Sequence, residues 1–452
     1  MRLHWREIQK KIRHWAAPVA TTLMSGSALL AQAPVQFQPM APAPNPGIIQ
    51  ASEQQHLDPY YSENYTYSLP TNGAPHGPIY PQDTETSRYA AFDVANMVGT
   101  HFGTVESVAF SSVNVATDET VDGIFGVPAA NRVTNIAENN SPIPRDRFYM
   151  SYSHFANPIS SHIRVDDPND MDDDLLPIAA TGTNAQFNHD QFMLGIEKAF
   201  FGDSMSLELR VPIIVQVDQS VPGVIDPTST AFSMGRDDPN GNISINFKRV
   251  IGEWHGCYAS ALLTGGAGIT FAASDTTHVS VGDAEFYVDN SAYHFNPFLA
   301  FVVSGKGRWF FQAFFEADFS TDDITVHVPG EGRVGYVDVP DYYNIDLGVG
   351  YWLTRHTERR FLRGVAPILE FHYGRQRQDS QGFAFIADGD ETLTNAVFGS
   401  LYNRQDVYNF TSGIHTELTR WMNTRVAGVF PFRGDDHRQF DAALMVQVDI
   451  VR

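Results

Sequence analysis

Hydrophobic and polar residues alternate in successive stretches of about ten residues from position 147 to the C-terminus. In the clearest stretch, residues 308–319, one face carries mainly aromatic and alanine side chains, and the opposite face carries Arg308, Gln312, Glu316 and Asp318. A period of two places successive side chains on opposite faces of a β-strand. Similar alternation at 205–215, 343–351 and 440–450 predicts an all-β fold for this part of the chain.

The connections between these strands are alternately short and long. The short ones are predicted at 201–204, around Gly252, and at 304–307, 354–360 and 420–423. The long ones are predicted at 157–184, 218–240, 274–292, 320–340 and 375–405, and the last connection, 433–437, is short. This alternation, with about twelve strands, predicts a transmembrane antiparallel up-and-down β-barrel over residues 147–452. A soluble β-sandwich is the alternative, but its strands are usually shorter.

The N-terminal third has three segments that differ in composition. Five basic residues, an apolar stretch at 15–30 and the small-x-small sequence Ala31-Gln32-Ala33 predict a signal peptide over residues 1–33. Residues 34–83 are rich in Pro and Tyr and are interpreted as a periplasmic linker. Residues 84–146 regain apolar density and are predicted to form a small N-terminal extension that caps or plugs the barrel. Export and a barrel together predict the outer membrane.

Composition and charge narrow the choice of partners. The chain has 12% aromatic residues and 35 glycines, which suits a barrel with a lipid-facing wall. The formal net charge of −22 argues against nucleic acid. The lone Cys257 shares a phase with Ala259, Ala261 and Leu263, so it is expected on the apolar face of a strand.

Residues 147–452 resemble Gram-negative outer-membrane β-barrel proteins of the porin and substrate-channel type, on strand rhythm, aromatic outward faces and loop alternation. The resemblance implies residence among outer-membrane lipids, passage of small solutes and recognition by the outer-membrane assembly machinery, and leaves the oligomeric state open. The chain ends in Ile450-Val451-Arg452, whereas such barrels commonly end in an aromatic residue.

The inward face of the predicted barrel carries the residues that decide what crosses it. An acidic surplus in a water-filled lumen would favour cations. The alternative is that the charges pair into a network that fills a narrow lumen. The lumen-lining candidates are Glu197, Glu208, Arg210, Lys248, Arg308, Gln312, Glu316, Asp318, Asp346, Glu370 and His372.

Two further kinds of chemistry receive little support. Asp170, Asp172 and Asp174 have the spacing of calcium ligands, but the segment lacks the EF-hand glycine at position six and glutamate at position twelve. They remain weak candidates for divalent cations that bridge an external loop to lipid, and no cofactor is predicted. The chain has no Gly-x-Ser-x-Gly, no His-Glu-x-x-His and no glycine-rich phosphate loop, so no enzymatic activity is predicted.

The leading functional prediction is an outer-membrane channel for passive diffusion of small polar or cationic solutes. The alternative is a closed structural or surface-interaction barrel, which a plug or full internal charge pairing would favour. An outer-membrane lipid hydrolase is the least favoured class.

Overall fold

The computed structural model describes only part of the chain. The described residues are 92, 94–99, 106–114, 120–127, 134–160, 162–166, 186–215, 219–222, 230–236, 240–274, 276–281, 284–356, 358–378, 382–388, 392–399, 406–433 and 438–451. The predicted signal peptide, the predicted linker and the candidates Asp170, Asp172 and Asp174 lie outside this part of the chain.

The described residues form strands and no helices. The strands are, in chain order, β1 (Glu106–Asn114), β2 (Thr120–Val127), β3 (Arg147–Ser160), β4 (His162–Asp166), β5 (Gln186–Phe200), β6 (Met205–Ile214), β7 (Gln219–Pro222), β8 (Thr230–Arg236), β9 (Ser244–His255), β10 (Ala259–Thr270), β11 (Thr277–Val281), β12 (Ala284–Asp289), β13 (His294–Gly305), β14 (Trp309–Ser320), β15 (Ile324–Val328), β16 (Gly332–Val337), β17 (Tyr342–Tyr351), β18 (Thr354–Arg355), β19 (Gly364–Gln376), β20 (Phe383–Asp388), β21 (Thr392–Gly399), β22 (Asp406–Glu417), β23 (Met422–Pro431) and β24 (Ala442–Val451).

Twelve of these strands close into a barrel. Their order is β3-β5-β6-β9-β10-β13-β14-β17-β19-β22-β23-β24, and β24 pairs with β3 to complete the ring. Every pairing is antiparallel between strands that follow one another in the barrel, so the predicted all-β up-and-down barrel of twelve strands is confirmed.

Alternation gives the barrel wall two different faces. In β19, for example, Glu370 and His372 are buried, whereas Leu369 and Phe371 are exposed on the outside. The outside wall carries large apolar side chains at strand after strand, including Met150, Ile196, Leu207, Ile251, Phe315, Val349, Leu369, Ile414, Val426 and Leu444.

The two ends of the barrel differ in their connections. At one end, which we call the turn end, the connections are short, for example residues 201–204 and 306–308. At the other, the loop end, four of the long connections carry strand pairs that add to two further sheets, β20-β21-β1-β2-β4 and β16-β15-β12-β11-β8-β7. Sequence alternation did not reveal these additional strands.

One predicted turn is wrong. The turn expected around Gly252 lies instead at 256–258, because β9 continues to His255. The pairing of β9 with β10 shifts register at Leu263/Thr264, and this irregularity breaks the alternation near Gly252. Cys257 therefore lies exposed in the turn, not on a strand face as predicted.

The hairpin β1–β2 belongs to the N-terminal extension, yet it lies in a sheet at the loop end. β1 pairs with β21, which precedes β22, and β2 pairs with β4, which follows β3. Between β22 and β3 the barrel has β23 and β24, whose connection carries no strand of its own among its described residues. The hairpin thus fills the position in this sheet between β21 and β4, where no long connection supplies a strand pair.

Among the described residues, no helix is long and apolar enough to cross a membrane.

Candidate functional site: the barrel interior

Two stretches of the N-terminal extension lie inside the barrel, and we call them together the inner segment: residues 94–99 and 134–143. All of the described side chains in both stretches are buried. Just before the first stretch, the Phe92 ring lies 5.7 Å from that of His255, at the turn end. The hairpin β1–β2, which separates the two stretches in sequence, pairs at the loop end. The first stretch therefore runs from the turn end toward the loop end, and the second returns toward the turn end before β3 begins.

The two stretches hydrogen-bond to each other. Met97 N donates to Asn140 O at 2.7 Å, and Asn139 N donates to Val98 O at 3.1 Å. Gly99 has a φ of +62°, and a Cβ built on it would lie 2.6 Å from Cα and N of Glu138. Glycine is required here both for the left-handed backbone and for the close approach of the two stretches.

Cationic side chains on β3, β6 and β9 hold the carbonyl side of the inner segment, and we call them the basic wall. Arg147 Nη1 donates to Asn139 O at 2.5 Å. Arg210 donates through Nη1 to the carbonyl of residue 135 and through Nη2 to that of residue 136, at 2.9 and 3.1 Å. Lys248 Nζ donates to Ser141 O at 3.1 Å. Charged donors make stronger hydrogen bonds than neutral ones.

Two buried glutamates neutralise most of the basic wall. Glu197 lies 2.7 Å from both Arg147 Nε and Lys248 Nζ. Glu208 lies 2.8 Å from Arg147 Nη2 and 3.1 Å from Arg210 Nη2. Asp449 lies 3.6 Å from Arg147 Nη1 and also pairs with Arg425. Four cations and three carboxylates therefore form this cluster, which satisfies the condition that buried charges be paired and hydrogen-bonded.

Carboxylates on β14, β17 and β19 hold the N–H side of the inner segment, and we call them the acidic wall. Glu316 Oε2 accepts from Ile136 N at 3.0 Å. Asp346 Oδ2 accepts from the side-chain amide of Asn135 at 3.1 Å. Glu370 accepts from the backbone N–H groups of residues 98 and 99, at 2.8 and 3.0 Å. Peptide and amide N–H groups, together with His372, whose ring lies 2.7 Å from Asp346 and 3.3 Å from Glu370, satisfy this wall.

Apolar contacts fill the interior beside these polar walls. Near the turn end, Ala95 belongs to a buried cluster with Phe310 and Trp352 on the wall. Further in, Met97 and Ile136 belong to a second buried cluster that includes Phe298 and Phe314. The inner segment is therefore packed against the barrel wall on polar and apolar sides alike.

The structure places ten of the eleven lumen-lining candidates on the buried face of the barrel: Glu197, Glu208, Arg210, Lys248, Gln312, Glu316, Asp318, Asp346, Glu370 and His372. Arg308 is the exception, and its prediction is wrong. It lies exposed in the turn before β14 with a φ of +72°, and its Nη1 donates to Leu353 O at 3.2 Å.

Sequence reasoning missed several residues that hold the inner segment. Arg147 and Arg425 both face the interior, and Arg425 hydrogen-bonds to Asn139 and Asp449. Arg147 is the first residue of its strand, and Arg425 shares its face with the apolar Ala427 and Val429, so neither gave a polar pattern. The asparagines at 135, 139 and 140 gave no signal of contacts this distant in sequence.

A metal centre receives no support from the part of the chain that the structure describes, where no three His, Cys, Asp or Glu residues group in a way that could hold a metal ion.

Comparison with known proteins finds similar barrels and no related sequence. Protein-family models and curated protein sequences gave no match. Among solved structures, an outer membrane channel from Pseudomonas putida F1 is similar with a TM-score of 0.43 and 10% identity, over 71% of this chain and 100% of that one. The KdgM porin has a TM-score of 0.30 and 7% identity, over 68% and 99%. The Pseudomonas putida toluene transporter TodX has a TM-score of 0.32 and 8% identity, over 68% and 88%. At these identities the similarity concerns the fold alone.

Proposed function

We propose that this chain is an outer-membrane channel whose lumen is closed by its own inner segment, so that small polar or cationic solutes pass only when that segment is displaced. The observation that carries the proposal is the position of the inner segment between the basic and acidic walls. Nothing in the proposal requires a catalytic group, and we assign the barrel no enzymatic activity.

Membrane residence is supported by the outside wall. Its exposed aliphatic and aromatic side chains would be costly in water and are favourable in lipid. At the turn end, Trp254, Trp309, Tyr351 and Trp421 are each between 42% and 53% exposed, as suits the interface between lipid and water. Short connections face the periplasm in such barrels, so the turn end is assigned to the periplasm and the loop end to the cell exterior.

Displacement is supported by the chemistry of the surface against which the inner segment packs. Glu316, Asp346 and Glu370 on one side, and Arg210 and Lys248 on the other, would line a water-filled bore if the segment left it. Water could then replace the N–H and carbonyl groups that the segment supplies. The acidic wall contains no Arg or Lys, so an open bore would favour cations along that side.

A closed structural or surface-interaction barrel is the second candidate. The presence of the inner segment inside the barrel favours it, since a plug was the feature expected of a closed barrel. The number of polar contacts to the segment also favours it, because these contacts come from strands around most of the ring. Donors or acceptors to the segment are found on β3, β6, β9, β10, β14, β17, β19, β23 and β24.

Planar-bilayer recordings of the full-length protein under a potassium chloride gradient distinguish the two candidates. We expect rare, brief steps from the wild type and frequent steps from the double variant Glu316→Gln/Glu370→Gln, which weakens three backbone contacts to the inner segment. Reversal potentials should indicate cation preference, because Asp318 and Asp346 remain. The matched control is Asp318→Asn, since this buried carboxylate bonds His294 at 2.8 Å on the neighbouring strand.

Frequent steps from Asp318→Asn as well would show that opening does not depend on the inner segment. Silence from all three folded proteins would contradict the channel proposal and leave the closed barrel. Folding is scored separately by the heat-dependent migration of the barrel on a denaturing gel.

A further inference from the structure

The outside wall of the barrel carries a group of charged and aromatic residues at the loop end of β19, β22 and β23. We call it the rim patch: Tyr373, Arg375, Asp406, Tyr408 and Arg433. Tyr373 and Arg375 follow the exposed Leu369 and Phe371 on the outward face of β19. Asp406 and Tyr408 continue the outward face of β22. Arg433 comes directly after the exposed Phe432.

The rim patch has more positive than negative charge. Arg375 Nε lies 3.7 Å from Asp406 Oδ1, and Arg433 Nη1 lies 3.9 Å from Asp406 Oδ2. Two guanidinium groups therefore share one carboxylate, which also accepts a hydrogen bond from the Tyr373 hydroxyl at 2.9 Å. The side chains of Arg375 and Arg433 remain 55% and 40% exposed. Both keep donors available for a further anion.

Two nearby arginines at the same end of the barrel show the contrast. Arg377 pairs with Asp341 at 3.0 Å, and Arg438 pairs with Asp441 at 2.9 Å. Each of these cations has a carboxylate within hydrogen-bonding distance, whereas Arg375 and Arg433 do not reach that distance to Asp406.

An aromatic pair holds one of the two guanidinium groups, that of Arg433, close to the wall. Arg433 lies over the Tyr408 ring at 4.8 Å, and the Tyr408 and Tyr373 rings lie 4.8 Å apart. Along the wall toward the turn end, the outward side chains change from these tyrosines to Phe371 and then to aliphatic residues. That gradient places the rim patch at the depth where lipid head groups meet the hydrocarbon.

We infer that the rim patch binds the phosphate of an anionic lipid in the external leaflet, with Arg375 and Arg433 as the donors. The described residues of the patch supply one carboxylate for two guanidinium groups, and a lipid phosphate would supply a second anion. The acyl chains of that lipid would lie along Leu369 and Phe371. The inference rests on the membrane residence given under the proposed function, but not on conduction through the lumen.

Native mass spectrometry of the full-length protein in detergent tests the inference by titration with diphosphorylated lipid A. Loss of a charge-assisted contact should weaken binding about tenfold, so Arg375→Gln/Arg433→Gln should weaken it about a hundredfold. The matched control is Arg333→Gln, because Arg333 also lies 4.8 Å over a tyrosine ring, that of Tyr336, but on β16 away from the barrel wall. Dephosphorylated lipid A and inorganic phosphate are titrated in parallel.

We expect wild type and Arg333→Gln to bind diphosphorylated lipid A equally, and dephosphorylated lipid A far more weakly. Unchanged binding by Arg375→Gln/Arg433→Gln would overturn the inference. Inorganic phosphate that binds as tightly as the lipid would also overturn it, since the patch would then recognise a free anion. A barrel that migrates as unfolded, or that does not insert into vesicles, would contradict the membrane assignment. A barrel that inserts but shows no conductance steps in planar bilayers would contradict only the channel proposal.

Discussion

Gly99 offers a direct test of whether the inner segment controls conduction. A methyl group at this position would lie 2.6 Å from Glu138 Cα and N, whereas ordinary carbon contacts are about 3.5–4.0 Å. The contact is with backbone, which no rotamer change relieves. We therefore expect Gly99→Ala to push apart the two stretches of the inner segment.

The size of the effect follows from the contacts that such a separation would break. Two backbone hydrogen bonds join the stretches, from Met97 N to Asn140 O and from Asn139 N to Val98 O. Each contributes about 1 kcal/mol, and about as much again is lost where a buried partner remains unsatisfied. A destabilisation of the closed state by about 3 kcal/mol corresponds to about a 150-fold rise in the open-to-closed ratio.

Gly202 provides the matched control for backbone strain. It has a φ of +63°, close to that of Gly99, but a Cβ built there has no heavy atom within 4 Å. Alanine at either position has the left-handed penalty of about 1–2 kcal/mol, so the difference between the two variants isolates the contact with Glu138.

The assay is the open probability in planar bilayers at fixed voltage, for wild type, Gly99→Ala and Gly202→Ala. We expect frequent openings only from Gly99→Ala. An open probability for Gly99→Ala within about threefold of that for Gly202→Ala, in a barrel that migrates as folded, would refute the reasoning, because the predicted ratio is about 150.

Three further predictions concern the walls and the orientation of the barrel. Arg210→Met should lower the free energy of unfolding in lipid vesicles by about 3–5 kcal/mol, since it leaves Glu208 without one of its two cations. A urea titration followed by Trp fluorescence measures this free energy, and a loss below about 1 kcal/mol would contradict the prediction. Arg308→Gln should leave unfolding and reversal potential unchanged within about 0.5 kcal/mol and the error of recording, because Arg308 is exposed in a turn. A maleimide reagent on the order of 5 kDa is too large for a bore of about twelve strands. Cys257 should therefore react with it only after the outer membrane is permeabilised, and Cys257→Ser serves as the blank. Labelling of intact cells would reverse the assigned orientation of the barrel.

The barrel could be predicted from sequence because its determinants are local. Alternation along β14, β17 and β19 and the lengths of the connections depend on residues close in the chain. Errors arose where local geometry departs from the regular period. Arg308 continues the alternation of β14 in sequence, but its positive φ places it in the turn. Near Gly252 the register shift between β9 and β10 breaks the period and moved the predicted turn.

The inner segment could not be placed from sequence because its partners are distant. Val98 and Glu370 are separated by 272 positions, and Ile136 and Glu316 by 180. No periodicity links such residues. The segment also contributes mainly backbone N–H and carbonyl groups, which every sequence possesses, so its side chains reveal little of what it binds.

These backbone contacts also explain why neither simple interpretation of the interior charges describes the structure. A water-filled lumen would leave the acidic wall hydrated, and a complete ion-pair network would give each carboxylate a cation. Glu197 and Glu208 have such cations, whereas Glu316 and Glu370 accept from peptide N–H groups of the inner segment. A carboxylate that lost its peptide N–H partners in a dry lumen would be left unpaired, which costs much more than hydrating it. Displacement of the segment therefore requires water to enter the lumen with it. The acidic wall is therefore the side from which we expect opening to begin.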